Sequence, residues 1–199
     1  MDIIGLKKVY RKKKVEIKER LQVFSEVKGD DIFYELCFCL LTPQSKAKIC
    51  WANVLKLKEK GLFNRDFQPS LTGVRFPKNK IKYLVQAKKD FPEVNEGIKN
   101  IEDAKELREY LVEQIKGLGC KEASHFLRNI GYKNLAILDR HILRRLVEFG
   151  IVKNIPKNLT RKKYLEIEEL FKSFAEETKI PIDELDLLFW SLGTGEIFK

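Results

Sequence analysis

Apolar residues recur at intervals of three and four along almost the whole chain, and no alternation of apolar and polar residues persists, so the sequence is bound to an all-α fold. The densest stretch, Ile32, Phe33, Leu36, Cys37, Leu40 and Leu41, is apolar nearly all round. It predicts a central helix with Asp30 as N-cap, stopped before Pro43. Ile17, Leu21, Phe24 and Val27 form a helical face before it. Residues 46–60 continue the period with Ile49, Ala52 and Leu55 and end at Gly61, a C′ glycine; residues 62–77 carry Pro, Gly and Asn without a period and are expected to be loop. Further helices are predicted at about 79–89, 102–115, 121–130, 140–149, 161–179 and 181–193.

A chain of 199 residues can bury roughly 70% of its unfolded surface. No apolar run approaches the ~18–20 residues of a membrane-spanning helix. The first residues, Met1 to Gly5, lack a basic segment leading into a long apolar one, so neither export nor membrane insertion is expected. Cys37, Cys39, Cys50 and Cys120 lie within the helical pattern without paired CxxC motifs and are expected to be buried thiols in a reducing cytoplasm, neither disulfides nor zinc ligands. The net charge is +10, clustered at Arg11 to Lys14, Lys78 to Lys82, Arg144 with Arg145, and Arg161 to Lys163. Such patches suit a polyanion, which gives up counterions on binding; solvated lysine-rich helix faces are the plainer reading.

The informative segment is Ile115-Lys116-Gly117-Leu118-Gly119-Cys120-Lys121, between two helical patterns. Two glycines allow a turn that a Cβ would block, and a helix starting after it aims free N–H groups outward, which makes either an anion cradle or a tight helix-to-helix corner. Lys121 falls in the first turn of the following helix. There the helix dipole and the surrounding positive charge disfavour the ammonium, an effect expected to lower its pKa toward that of an amine nucleophile. Asp139 follows 18 residues later in Leu138-Asp139-Arg140-His141, at the start of another helix. It is a simple N-cap, or a carboxylate returned to the amine by the connecting chain.

The hairpin with its lysine, the aspartate after it, and an upstream Leu40-Leu41-Thr42-Pro43-Gln44-Ser45 together resemble the helix-hairpin-helix DNA glycosylase superfamily, to which endonuclease III belongs. Segments 121–129, Leu138 to Leu143, Tyr164 to Ile167, Glu184 to Leu187, Trp190 and the final lysine are more closely similar to the type 2 8-oxoguanine DNA glycosylase/AP lyases of archaea and some bacteria. The likeness spans about Phe33 to Lys199. It implies a two-lobed helix-hairpin-helix DNA glycosylase fold with a cleft between the lobes, residues 30–135 forming one lobe and 1–29 with 136–199 the other.

The resemblance also implies roles. Lys121 would attack C1′ of the damaged nucleoside, expel 8-oxoguanine and form a Schiff base from which β-elimination cuts the strand. Asp139 would stabilise the developing oxocarbenium charge and orient the amine, or accept its proton. Phe76 and Trp190 match aromatic residues around a flipped-out base, with ordinary core positions as the alternative. Lys199 matches a terminal lysine reading the oxidised purine, whose N7–H a carboxylate can accept; the alternative is a frayed end. Gln44 matches the residue that enters the helix gap, although Ser45-Lys46 departs from the endonuclease III pattern. Gly117 and Gly119 would approach DNA, and Arg75 and Arg128 would neutralise phosphates.

No cysteine follows Cys120, so no iron–sulfur cluster is expected, while hairpin carbonyls in the superfamily can hold a monovalent cation beside a phosphate. His125 and His141 are expected to be structural imidazoles, and no metal site is expected. The implied partner is double-stranded DNA containing 8-oxoguanine or an abasic site, bound by a monomer in a prokaryotic-type cytoplasm at the nucleoid. The alternatives are an endonuclease III-like glycosylase for oxidised pyrimidines and a non-catalytic helix-hairpin-helix DNA-binding module.

Overall fold

The computed structural model describes residues 1–61 and 67–199. Among the described residues there are nine helices and no strand: α1 (Ile3–Ser25), α2 (Asp30–Leu41), α3 (Ala47–Glu59), α4 (Pro77–Asn100), α5 (Ala104–Gln114), α6 (Cys120–Asn129), α7 (Arg140–Glu148), α8 (Arg161–Thr178) and α9 (Ile182–Thr194). Of the loop expected over 62–77, residues 62–66 lie outside the described residues, 67–76 carry no helix, and Pro77 opens α4. No helix of the described residues is long and apolar enough to cross a membrane.

Three boundaries differ from expectation. α1 begins at Ile3, because Leu6 and Tyr10 extend the buried stripe of Ile17 and Phe24 through the basic run, whose side chains point outward. Gly29, with φ of +58°, takes the N-cap position expected of Asp30, and Asp30 and Asp31 instead lie in the first turn, where the helix dipole favours carboxylates. α4 runs on past Lys89 through Pro92 to Asn100, because Phe91 and Val94 are buried on either side of the proline.

The chain divides into two compact units, one of Val27–Ile130 and one of Met1–Glu26 with Gly131–Lys199. The breaks fall at 26/27 and 130/131, a few residues before those drawn from sequence. Two interactions assign 131–135 to the unit of the chain ends: Gly131 packs on the Ser25 backbone, and the Asn134 N–H donates to the Asp183 carboxylate at 3.2 Å. In Val27–Ile130, α2 packs on α3, α4 and α6, and Phe33 meets Phe91 edge-on at 5.1 Å. In the other unit α9 packs on α1, α7 and α8, and Phe189 stacks with Phe149 at 5.6 Å and Phe171 at 5.8 Å.

Candidate functional site

The hairpin between α5 and α6 assigns different tasks to its two glycines. Gly117 has φ of +93°, and a Cβ there would lie 2.6 Å from the Tyr83 ring, so the turn itself requires glycine. Gly119, the N-cap of α6, has φ of −97°, open to any residue, and a Cβ would meet only the flexible Glu122 carboxylate at 3.3 Å. Its missing side chain therefore leaves the surface at the helix N-terminus open for close approach. Lys121 is the second residue of α6, and its ammonium pairs with Glu122 at 2.8 Å; the two side chains are 24% and 14% exposed, enough for the amine to be reached. Cys120, expected to be buried, is half-buried at the helix start, whereas Cys37, Cys39 and Cys50 are buried and not joined in disulfides. Burial pushes the Cys50 thiol up to about 11 against the opposing pull of Lys80 and Lys121, so it is protonated at neutral pH.

Within the same unit a second feature lies beside Cys50. Lys80, in the first turn of α4, is 4% exposed. Its ammonium donates to the Leu41 carbonyl at 2.6 Å, the Pro43 carbonyl at 2.8 Å and the Ser45 hydroxyl oxygen at 2.8 Å. Burial holds its pKa below the ordinary lysine range, and the nearby charges of Arg75 and Lys121 lower it further against the pull of Cys50. Gln44, in the turn held by these bonds, is exposed with φ of +56°. Phe76 is also exposed, at 53%, with φ of +54°, so it is not a core residue; the Arg75 guanidinium lies over its ring at 5.3 Å. Gln44, Arg75 and Phe76 are thus brought to one region, because the Ser45 hydroxyl accepts the Arg75 N–H at 3.0 Å. Arg128, expected to meet a phosphate, is 3% exposed.

The unit of the chain ends holds Asp139, Trp190 and Lys199. Asp139 is the N-cap of α7, and its Oδ1 accepts the N–H groups of His141 at 2.7 Å and Ile142 at 2.8 Å. Both bonds fall on one oxygen, so Oδ2 is left for a further partner. The segment leading to it is fixed by α8: the Ala136 N–H donates to Glu168 at 2.9 Å, and the Tyr164 hydroxyl donates to the Ala136 carbonyl. His141 meets half-buried Trp190 edge-on at 6.3 Å, and its ring packs so closely on Gly193 that a Cβ there would overlap it. Trp190 stacks with Phe198 at 6.4 Å, while Lys199 is buried with its ammonium 5.7 Å from the Phe24 ring centroid. His125 belongs to the other unit, buried edge-on against Phe38 at 5.5 Å.

A family model described as 8-oxoguanine DNA glycosylase matches residues 14–180. The chain belongs to the 8-oxoguanine DNA glycosylase family. An "8-oxoguanine DNA glycosylase/AP lyase" of Fusobacterium nucleatum is 43% identical, over 98% of this chain and 96% of that one. The crystal structure of the Methanocaldococcus jannaschii 8-oxoguanine glycosylase/lyase in complex with a 15mer DNA containing 8-oxoguanine matches with a TM-score of 0.83 and 36% identity, covering 98% of this chain and 100% of that one. The Thermotoga maritima 8-oxoguanine DNA glycosylase matches with a TM-score of 0.85 and 31% identity, over 99% and 98% of the two chains.

Two residues of this family member escaped the sequence reading. Glu122 carried a signal, an acidic residue in the first turn of α6 directly after Lys121. Lys80 carried a stronger one: it stands in register with Leu84, Ala87, Phe91 and Val94, a lysine on the buried stripe of an otherwise amphipathic helix.

Proposed function

We propose that the chain is a bifunctional base-excision enzyme that removes 8-oxoguanine from double-stranded DNA and cleaves the resulting abasic strand. The observation that carries the reading is Lys121 in the first turn of α6, directly after a turn that requires glycine, in a member of this family. The neutral Lys121 amine attacks C1′ while the N-glycosidic bond breaks, and the departing purine keeps the bonding pair and takes up a proton. Glu122, at 2.8 Å, is within reach of the proton the ammonium gives up beforehand. The sugar ring opens to a Schiff base on Nζ, loss of a C2′ proton breaks the C3′–O bond, and water finally releases Lys121.

Asp139 stabilises the positive charge that builds at C1′ through its free Oδ2, since Oδ1 is committed to α7. The base must leave the stack first, at a cost of a few kcal/mol. In this reading Phe76 and Trp190 supply aromatic faces, Lys199 reads the oxidised purine, Gln44 fills the gap in the duplex, and Gly119 and Arg75 meet the backbone. Carbonyls of the hairpin would hold a monovalent cation beside a phosphate. The enzyme works as a monomer on the nucleoid in the cytoplasm.

Borohydride trapping tests this on duplexes carrying one 8-oxoguanine, one thymine glycol or no damage. A covalent adduct is expected on 8-oxoguanine and is lost in Lys121→Gln, while the variant still binds the damaged duplex. An adduct on thymine glycol alone overturns the substrate, and absence of adduct on every duplex overturns the lyase chemistry.

A further inference from the structure

Lys80 is a buried cation that the reaction does not use. All three of its ammonium protons are donated to oxygens of one turn: the Leu41 carbonyl at the end of α2, the Pro43 carbonyl and the Ser45 hydroxyl. The Leu41 carbonyl also takes the Cys50 thiol at 3.2 Å, and as a terminal carbonyl of α2 it has no partner within its own helix. The Lys80 backbone N–H donates to the Phe76 carbonyl at 3.1 Å. A single residue therefore ties down two segments, 41–45 and 75–76, which the Ser45 hydroxyl joins again through the Arg75 N–H.

Each segment carries an exposed side chain on a left-handed backbone, Gln44 at φ +56° and Phe76 at φ +54°. Such conformations are costly for residues other than glycine and persist only where the surroundings over-determine them. A cation buried at some cost, in a protein already strongly basic, is an expensive way to build a turn unless the turn must be rigid.

We propose that Lys80 is a positioning residue for DNA engagement, its ammonium locking the Pro43–Ser45 turn and the Arg75–Phe76 segment so that Gln44 and Phe76 meet the duplex in their strained conformations. The inference rests on the reading above that Gln44 and Phe76 engage DNA. Lys80 itself touches neither base nor sugar. Its contribution belongs to the invasion of a duplex and has no part in bond cleavage.

Excision from an 8-oxoguanine duplex and incision of an abasic site in a single strand, where no stack has to be entered, separate the two. Lys80→Met and Ser45→Ala are expected to lower kcat/KM on the duplex at least tenfold. Ser45→Ala, which leaves every charge in place, is expected to incise the single strand within twofold of the unaltered protein, and Ser45→Thr, which restores a hydroxyl, to recover duplex excision. Adding Gln44→Ala to Lys80→Met costs nothing more, although Gln44→Ala alone is costly. Equal losses on both substrates, or losses that add, overturn the proposal and make Lys80 a structural ion only. If Lys80→Met does not fold, the Ser45 pair decides the question by the same criteria. If Gln44→Ala and Phe76→Ala alone both leave duplex excision untouched, the underlying reading of these two residues falls and the proposal with it.

Discussion

At Asp139 the N-cap bonds of α7 and the proposed role at C1′ fall on one side chain, and a single substitution separates them. Asparagine caps helices about as well as aspartate, so Asp139→Asn keeps bonds of the kind made to His141 and Ile142 and is expected to leave unfolding stability within about 1 kcal/mol. It removes the negative charge, and excision is expected to fall about a hundredfold or more, read as single-turnover rates on an 8-oxoguanine duplex. If activity survives, Asp139 is a cap and nothing else. The places of Lys121 and Asp139 in the fold were legible in the sequence because a glycine-bearing hairpin and a helix start are local signals. Lys80 was not, because its meaning depends on Leu41, Pro43 and Ser45, more than 30 residues away. The burial of Arg128 was not legible for the related reason that its charge suggests a surface, while tertiary packing buries it.

Among the elements, α4 departs furthest from its sequence pattern. Pro92 lacks the N–H that would bond to the Lys88 carbonyl and sits in an exposed turn of a 24-residue helix. The helix continues because Phe91 and Val94 are buried at 5% and 1% exposure, and Phe91 packs against Phe33. Local propensity loses to burial here, which is why a reading by period and breakers ended the helix early. Pro92→Ala sacrifices no buried contact and is expected to raise unfolding stability by about 1–3 kcal/mol in a denaturant titration. A decrease would show that the proline sets a bend the unit needs. Most other helices followed their apolar spacing closely, since each has one face to bury and few competing signals.

At the scale of the whole molecule, the unit of the chain ends is closed by a bond between residues 174 apart in sequence: the buried Tyr10 hydroxyl donates to Glu184 at 2.5 Å. Burial, then the hydrogen bond and the charge of Glu184, hold the Tyr10 phenol well above its usual range. A group whose folded pKa is raised contributes stability that is complete below its unfolded pKa, about 10 for tyrosine, and is lost as pH climbs toward the folded value. Tyr10→Phe is therefore expected to cost about 1.5–3 kcal/mol at neutral pH, with the difference from the unaltered protein shrinking above pH about 10. A difference independent of pH to the alkaline limit would assign the cost to packing alone. Because this unit draws on both chain ends, it has consequences on the ribosome. Residues 27–130, with Lys121, are complete while the C-terminal third is still untranslated, whereas α1 must wait for α9, its packing partner, to be made. A nascent or prematurely terminated chain that lacks α9 leaves the apolar stripe of α1 uncovered and the surroundings of Asp139 unbuilt.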